Sequence, residues 1–399
     1  SVLERDWNRY MEDVARANIL ICNIDAVTDN SLTTAERAQY KAEAKIFRAM
    51  IMFDMVRLWG DFPVITTVAE DITSDNIEDV YPQYFPEQNT ELEAYQQIEK
   101  DLLDAVLYAP DNTPGNKTLF SKSVARTLLA KIYAEKPLRD YTKVIQYCDE
   151  VKADGFDLVD DFSDLFGMNA AGTDAKMRNT KESILEAQFT SGAGNWCTWM
   201  FGRDLVNWNN NFTWAKWVTP SRDLISAFKQ EGDEVRFKES IVYYDCNWSN
   251  YYPSDNYPFM YKCRSANSSI IKYRYADVLL LKAEALIMQD TPDLEGAADI
   301  IDEVRDRAKL GALPTSVRSN KNVLLNALLK ERRLELAFEG QRWFDLVRLD
   351  KVEEVMNAVH AKDSGRKAQV YTYDKNSYRL PIPQSVIDAN DKIHQNPGY

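Results

Sequence analysis

Lys321–Asp350 reads KNVLLNALLKERRLELAFEGQRWFDLVRLD. Leu324, Ala327, Leu328, Leu334, Ala337 and Phe338 fall at offsets 0, +3, +4, +10, +13 and +14, the spacing of one side of a helix. That side has to be buried. Gly340 supplies a residue able to leave a helix in the left-handed region, and Trp343, Phe344, Leu346 and Val347 resume the apolar pattern in a second, shorter helix. The stretch reads as a helix hairpin.

Its charges are unusual. The +7 position of the stripe is Glu331, and Glu331, Glu335 and Glu339 fall at i, i+4 and i+8, where unpaired like charges repel by roughly 0.2–0.5 kcal/mol per pair. Cations are needed, and Arg332, Arg333, Arg342 and Arg348 are close in sequence; a guanidinium binds a carboxylate through two parallel hydrogen bonds. A catalytic carboxylate pair of the glycoside hydrolase kind is the sharper reading. Matching arginines lower carboxyl pKa values and so work against a general acid. The stretch is therefore read as a partly buried ion network that fixes how one helical hairpin seats on the next.

The same pattern recurs along the 399 residues. Trp7, Met11, Val14, Ile19 and Ile21 place a helix already under way at Ser1. Thr34–Trp59 reads as a helix with Thr33 or Thr34 as N-cap, Glu36 in its first turn and Gly60 after its end. Prolines and acids make residues 66–89 a loop, and helix resumes over Glu91–Tyr108. Ser121–Glu135 with Leu138–Lys152, and Arg274–Gln289 with Leu294–Gly311, give further pairs with one apolar side each. About four such pairs, two early and two late, read as tetratricopeptide-like hairpins that stack because none buries its face alone.

Between the halves the composition changes. Trp196, Trp199, Trp208, Trp214 and Trp217 are interleaved with Gly192, Gly194, Asn195, Asn207, Asn209, Asn210 and Asn211, and a second cluster holds Tyr243, Tyr244, Trp248, Tyr251, Tyr252, Tyr257, Phe259 and Tyr261. Such glycine, asparagine and proline density predicts loops and short strands on a helical platform. An indole or phenol ring covers the C–H face of a sugar while its polar tip stays wet, and Asn or Arg beside it bonds ring hydroxyls. The candidate ligand residues are Trp196, Trp199, Arg203, Asn207, Trp208, Asn209, Trp214, Tyr243, Trp248 and Tyr251. The competing reading is that these aromatics are the private core of an inserted subdomain, or face a protein partner. The expected organisation is a single unit: helical scaffold at 1–155 and 272–359, an irregular ligand face at 156–271, and a closing segment at 360–399.

Bulk properties narrow the function. A formal net charge of −14 excludes nucleic acid, whose phosphates demand a basic face, and suits neutral or cationic ligands. Apolar residues make up 45% of the chain, but no run approaches the roughly 20 apolar residues of a membrane span. Cys22, Cys148, Cys197, Cys246 and Cys263 show no metal-ligand spacing; Cys246 and Cys263 bracket one loop and are the pair that could bridge, though an odd total gives no disulfide framework. His360 and His394 are the only histidines, which leaves little room for a His base. GAGNWC at Gly192–Cys197 and PGNKT at Pro114–Thr118 fall short of dinucleotide and phosphate-loop fingerprints, and Asp160, Asp161 and Asp164 read as a solvated turn. No catalytic residue, metal or cofactor is expected.

Five stretches carry a family resemblance: EAKIFRAMIMFDMVRLWGDFPV at Glu43–Val64 with Arg48 and Arg57; RYADVLLLKAEALIMQ at Arg274–Gln289; Leu294–Gly311 with Val304, Arg305, Arg307 and Ala308; ERRLELAFEGQRWFDLVRL; and the closing PIPQSVIDANDKIHQNPGY, Pro381–Tyr399. In order and over nearly the whole chain, these are similar to the SusD/RagB-like nutrient-binding proteins of the outer membrane. Met50, Ile51 and Met52 stand where that family often has aromatics. The resemblance implies a mostly α SusD-like fold and a non-enzymatic, surface-exposed lipoprotein. Its implied partner is a SusC-like, TonB-dependent barrel transporter, to which it hands oligosaccharides; a peptide-binding member of the family, or a glycoside hydrolase, is the alternative. It also implies a lipoprotein signal, an acylated cysteine and a further ordered segment ahead of Ser1, so that membrane association is through an anchor absent from this chain.

Overall fold

A computed structural model describes residues 1–190, 194–195, 219–246, 251–362 and 372–399. The scaffold is helical: α1 (Val2–Asn23), α2 (Thr34–Trp59), α3 (Glu91–Tyr108), α4 (Lys122–Ala134) and α5 (Tyr141–Ala153) precede the middle region, and α8 (Tyr275–Met288), α9 (Leu294–Arg307), α10 (Lys321–Glu335), α11 (Arg342–Arg348) and α12 (Val352–Lys362) follow it. Each helix from α1 to α5 packs on the next in sequence; α8 then packs on α5, and α9 and α10 on α8, so the stack runs through the chain without a break. One apolar core spans it, from Trp7 and Val14 of α1 to Leu324 and Leu328 of α10.

α2, of 26 residues, is deeply enclosed in this stack. Its first turn closes with a capping box, in which the Glu36 amide donates to Thr33 Oγ1 at 3.2 Å and the Thr33 amide to Glu36 at 2.8 Å. Ile46, Ala49, Met52, Phe53, Met55 and Val56 are all fully buried, so the second half of the helix is covered on every side. Two arginines are buried with their anions: Arg48 holds Asp101 of α3 through bonds of 2.8 and 2.6 Å, and Arg57 holds Asp54 at 2.5 Å. The bidentate Arg48 pair fixes the register of α3 on α2.

The C-terminal segment seals the end of α2. Asn396 donates through Nδ2 to the carbonyls of Trp59 and Leu380, both at 2.7 Å, while the Leu380 amide donates to Leu58 O at 2.7 Å. Gln88 and the backbone of His394 bond reciprocally, and Ile382 and Ile393 enter the core. Trp59 is thereby enclosed, with Trp7 and Tyr10 edge-on to its ring at 5.3 and 5.7 Å.

The middle region leaves and rejoins this stack beside itself. β1 (Ser183–Ala187) pairs antiparallel with β4 (Ile270–Arg274), Ser183 opposite Arg274 and Ala187 opposite Ile270. A second antiparallel pair, β2 (Ile241–Tyr244) with β3 (Tyr257–Met260), sets Ile241 against Met260 and Tyr244 against Tyr257. Here the structure departs from the expected loops and short strands, because α6 (Arg222–Glu231) and α7 (Glu234–Ser240) stand between the clusters. The reason is local. Ser221 caps α6 with a bond from the Leu224 amide, Gly232 ends it at φ +69°, and residues 221–240 hold one glycine and neither proline nor asparagine. The loop at 66–89 also contains two short turns of helix, Ile77–Val80 and Tyr81–Tyr84.

Candidate ligand-binding face

The ion network exists, but with other cations than the neighbours in sequence. Arg236 of α7 donates through Nη1 to Glu331 at 2.5 Å and to Glu335 at 2.9 Å. Arg274, at the end of β4, bonds Glu335 at 2.6 Å, Glu182 at 2.7 Å and both oxygens of Glu339 at 2.7 and 2.8 Å. Arg307 of α9 joins Glu335 to Glu182, and Lys262 reaches Glu339 at 2.6 Å. The expected partners are employed elsewhere: Arg332 on Asp277 and Asp345, Arg333 on Asp223, Arg348 on Glu284 and Asp345, and Arg342 on the Leu329 carbonyl. Adjacent helical positions point about 100° apart, so Arg332 cannot turn back onto the face that Glu331 and Glu335 share.

Glu339 is not stacked on that face either. α10 ends at Glu335, and the turn that follows carries Phe338 at φ +66° and Gly340 at φ +74°, which swings Glu339 back toward Arg274 and Lys262. Burial alone would raise the Glu335 carboxyl; Arg307, Arg274 and Arg236 hold it well below the carboxylate range instead, and Arg274 and Lys262 lower Glu339 against the same penalty. Glu331 goes the other way, pushed up by burial despite Arg236. Glu331 and Glu335 are 2% and 0% exposed, so no substrate reaches them.

A pH dependence follows. A carboxyl whose folded pKa is depressed stabilises the fold above its unfolded value of about 4 and loses that contribution as pH falls through its folded pKa. Glu335, Glu339, Asp277 and Asp345 are all of this kind. Glu331 offsets part of the effect. Thermal unfolding followed by circular dichroism from about pH 5 down to about pH 3 should show a falling midpoint; a flat profile would refute the network's part in stability.

The network's structural consequence is to place the middle region. By fixing Arg236 it anchors α7 to α10, and α7 runs directly into β2, which carries Tyr243. Tyr243 is half-buried, its ring 6.4 Å from Phe237, and burial raises its hydroxyl pKa. It lines a depression of about 450 Å³ together with Arg222, Lys229, Gln230, Tyr252 and Asn256. The Arg222 guanidinium lies 4.3 Å from the ring centroids of both Tyr251 and Tyr252, a cation–π clamp, and Tyr252 is tied by its hydroxyl to Pro220 O at 2.7 Å. A half-exposed ring between amide and cationic side chains can stack on a flat, hydroxyl-bearing ligand and bond its rim.

Of the ten candidates, Tyr243 and Tyr251 fall in the described residues; Trp196, Trp199, Arg203, Asn207, Trp208, Asn209, Trp214 and Trp248 lie outside them. The two do not share a depression. Tyr251 lines a neighbouring one of about 500 Å³, with Thr219, Trp343 and His360. Other aromatics of the second cluster are core: Tyr257 and Phe259 are each 1% exposed and pack with Cys246. Cys246 is a buried free thiol, so the Cys246–Cys263 bridge that the spacing left open is not formed. Arg222, Lys229 and Gln230 were missed by the reading of the sequence. Their signal was positional, since Arg222, Ile225, Ser226, Lys229 and Gln230 fall at i, i+3, i+4, i+7 and i+8 on α6 and form one stripe.

Comparison with known proteins agrees with this architecture. The SusD family model matches residues 255–399, and the model described as SusD-like, "Starch-binding associating with outer membrane", matches residues 2–134. The chain belongs to the SusD/RagB-like family. It is 27% identical to SusD-like protein P2 of Formosa agariphila over 98% of this chain and 80% of that protein. To the starch-binding protein SusD of Bacteroides thetaiotaomicron it is 23% identical, over 97% and 77%. A solved laminarin-binding SusD-like protein superposes with a TM-score of 0.75 at 25% identity, covering 99% of this chain and 85% of the other.

Proposed function

We propose that the protein is a non-catalytic, cell-surface binder of oligosaccharide or polysaccharide nutrients that passes them to a SusC-like, TonB-dependent transporter in the outer membrane. The observation that carries the reading is the depression in which Tyr243 presents a half-exposed ring beside Arg222, Gln230 and Asn256. It is supported by a starch-binding relative, by a laminarin-binding structural neighbour, and by a family description that places its members at the outer membrane. Trp196, Trp199, Arg203, Asn207, Trp208, Asn209, Trp214, Trp248 and Tyr251 are proposed as further ligand contacts. Arg222 and Lys229 weigh against a cationic peptide at this depression, the ligand that the acidic overall charge would otherwise favour.

Affinity electrophoresis through gels cast with starch, laminarin or other neutral glycans tests the reading. Retardation by at least one glycan is expected, weakened about tenfold by Tyr243→Ala with the unfolding midpoint unchanged. The same loss is expected for Trp208→Ala or Trp214→Ala. Absence of retardation by every glycan, together with unchanged migration of the variants, would defeat it. Reducing ends released during incubation with these glycans would instead point to hydrolysis.

A further inference from the structure

A larger cavity, of about 610 Å³, lies where α2 meets β4 and the turn after α10, and shares no lining residue with the Tyr243 depression. Three cations, Arg57, Lys262 and Lys272, and two carboxylates, Asp54 and Glu339, line it, and each is ion-paired. Asp54 accepts from Arg57 at 2.5 Å and from Lys272 at 2.6 Å, and Glu339 accepts from Lys262 at 2.6 Å and from Arg274. The Arg57 guanidinium is further held between the rings of Phe53 and Phe344, at 3.9 and 4.1 Å. A cationic ligand would add to the excess positive charge, and an anionic one would have to compete with Asp54 or Glu339 for a cation already paired, so the cavity disfavours either.

Two hydroxyls in the same walls are unsatisfied. Tyr273 is 2% exposed, and neither its Oη nor the buried Oγ of Ser269 has a hydrogen-bond partner among the described residues. Buried hydroxyls are costly to leave unmade and normally find a partner. Phe166, Phe338, Phe344, Ile270 and Ile271 make the remaining wall largely apolar and partly aromatic. The volume lies within the range of small-molecule sites.

We infer that this cavity is a second ligand site, taking one or two pyranose rings of an uncharged saccharide, with Tyr273 and Ser269 bonding ring hydroxyls and the phenylalanines covering C–H faces. It does not depend on the aromatic loops, and its test is arranged to keep the two apart. Saturation-transfer NMR and calorimetry with maltose and laminaribiose are made on the full chain carrying Tyr243→Ala, then on the same chain with Tyr273→Phe or Ser269→Ala added. Saturation transfer to at least one disaccharide should persist in Tyr243→Ala and weaken about tenfold when the Tyr273 hydroxyl is removed. Glucosamine and glucuronate should bind more weakly than either neutral sugar.

Loss of all saccharide binding in Tyr243→Ala alone would overturn the inference. So would an affinity unchanged in both hydroxyl variants, the pattern expected if the two groups are satisfied by water alone, or a preference for the charged sugars. Binding insensitive to Tyr243→Ala but reduced by Tyr273→Phe would instead uphold the cavity and count against the aromatic face.

Discussion

Glu335→Gln should lower the free energy of unfolding by about 3–5 kcal/mol, the cost of breaking a buried ion network from one side. The side chain is fully buried and accepts from Arg236, Arg274 and Arg307, which come from three separate elements. Glutamine keeps the shape but removes the charge, leaving the guanidiniums to share Glu331, Glu339 and Glu182. Glu295→Gln is the matched control. Glu295 also meets an arginine, Arg318, but its side chain is 72% exposed, and such pairs contribute about 0–1 kcal/mol. Urea denaturation of the two variants beside the parent decides the matter: comparable shifts would mean that the buried cluster is no more than a set of ordinary surface pairs.

Trp59→Ala is expected to cost a similar amount, about 3–5 kcal/mol, by a different route. Its ring is 1% exposed, enclosed by Trp7 and Tyr10, and its carbonyl is the anchor for Asn396, so three separated segments meet there. A void at this point has walls from α1, α2 and the closing segment, and they cannot collapse together without losing the bonds that align them. Trp59→Phe should cost much less. The indole N–H has no hydrogen-bond partner among the described residues, so only packing is lost. Equal destabilisation by alanine and phenylalanine, read from thermal midpoints, would show that the ring stack is not what holds the segments together.

The scaffold was legible where the signal is local. α2 and α3 occupy the residues expected of them; Thr33 and Glu36 already marked the start of α2, and in the structure Thr90 with Glu93 closes the start of α3 by the same capping box. Pairing across the chain carries no such mark. Nothing near Glu335 in sequence announces Arg236 or Arg274, and the nearest arginines were the natural but mistaken partners. The aromatic face shows the same limit. Tyr243 and Tyr257 stand in similar sequence surroundings, yet one lines a depression and the other is core, a distinction set by the β2–β3 register and by α6 packing beneath it. α6 itself was hidden by the asparagine- and glycine-rich stretches on either side.

The pairing of β1 with β4 has an evolutionary corollary. Ala187 and Ile270 are partners in that ladder, so the two ends of the chain between them are held together at one seam, locked by Glu182 and Arg274, while Arg236 and Lys262 tie its interior to α10 and the turn after it. Changing the length of a segment closed in this way is cheap, about 0.6 kcal/mol for each doubling. Loops carried between these anchors can be lengthened or trimmed while the seam, Arg236 and Lys262 keep their contacts. The surface proposed to hold ligand can thus change its loops without the chain having to rediscover how to fold.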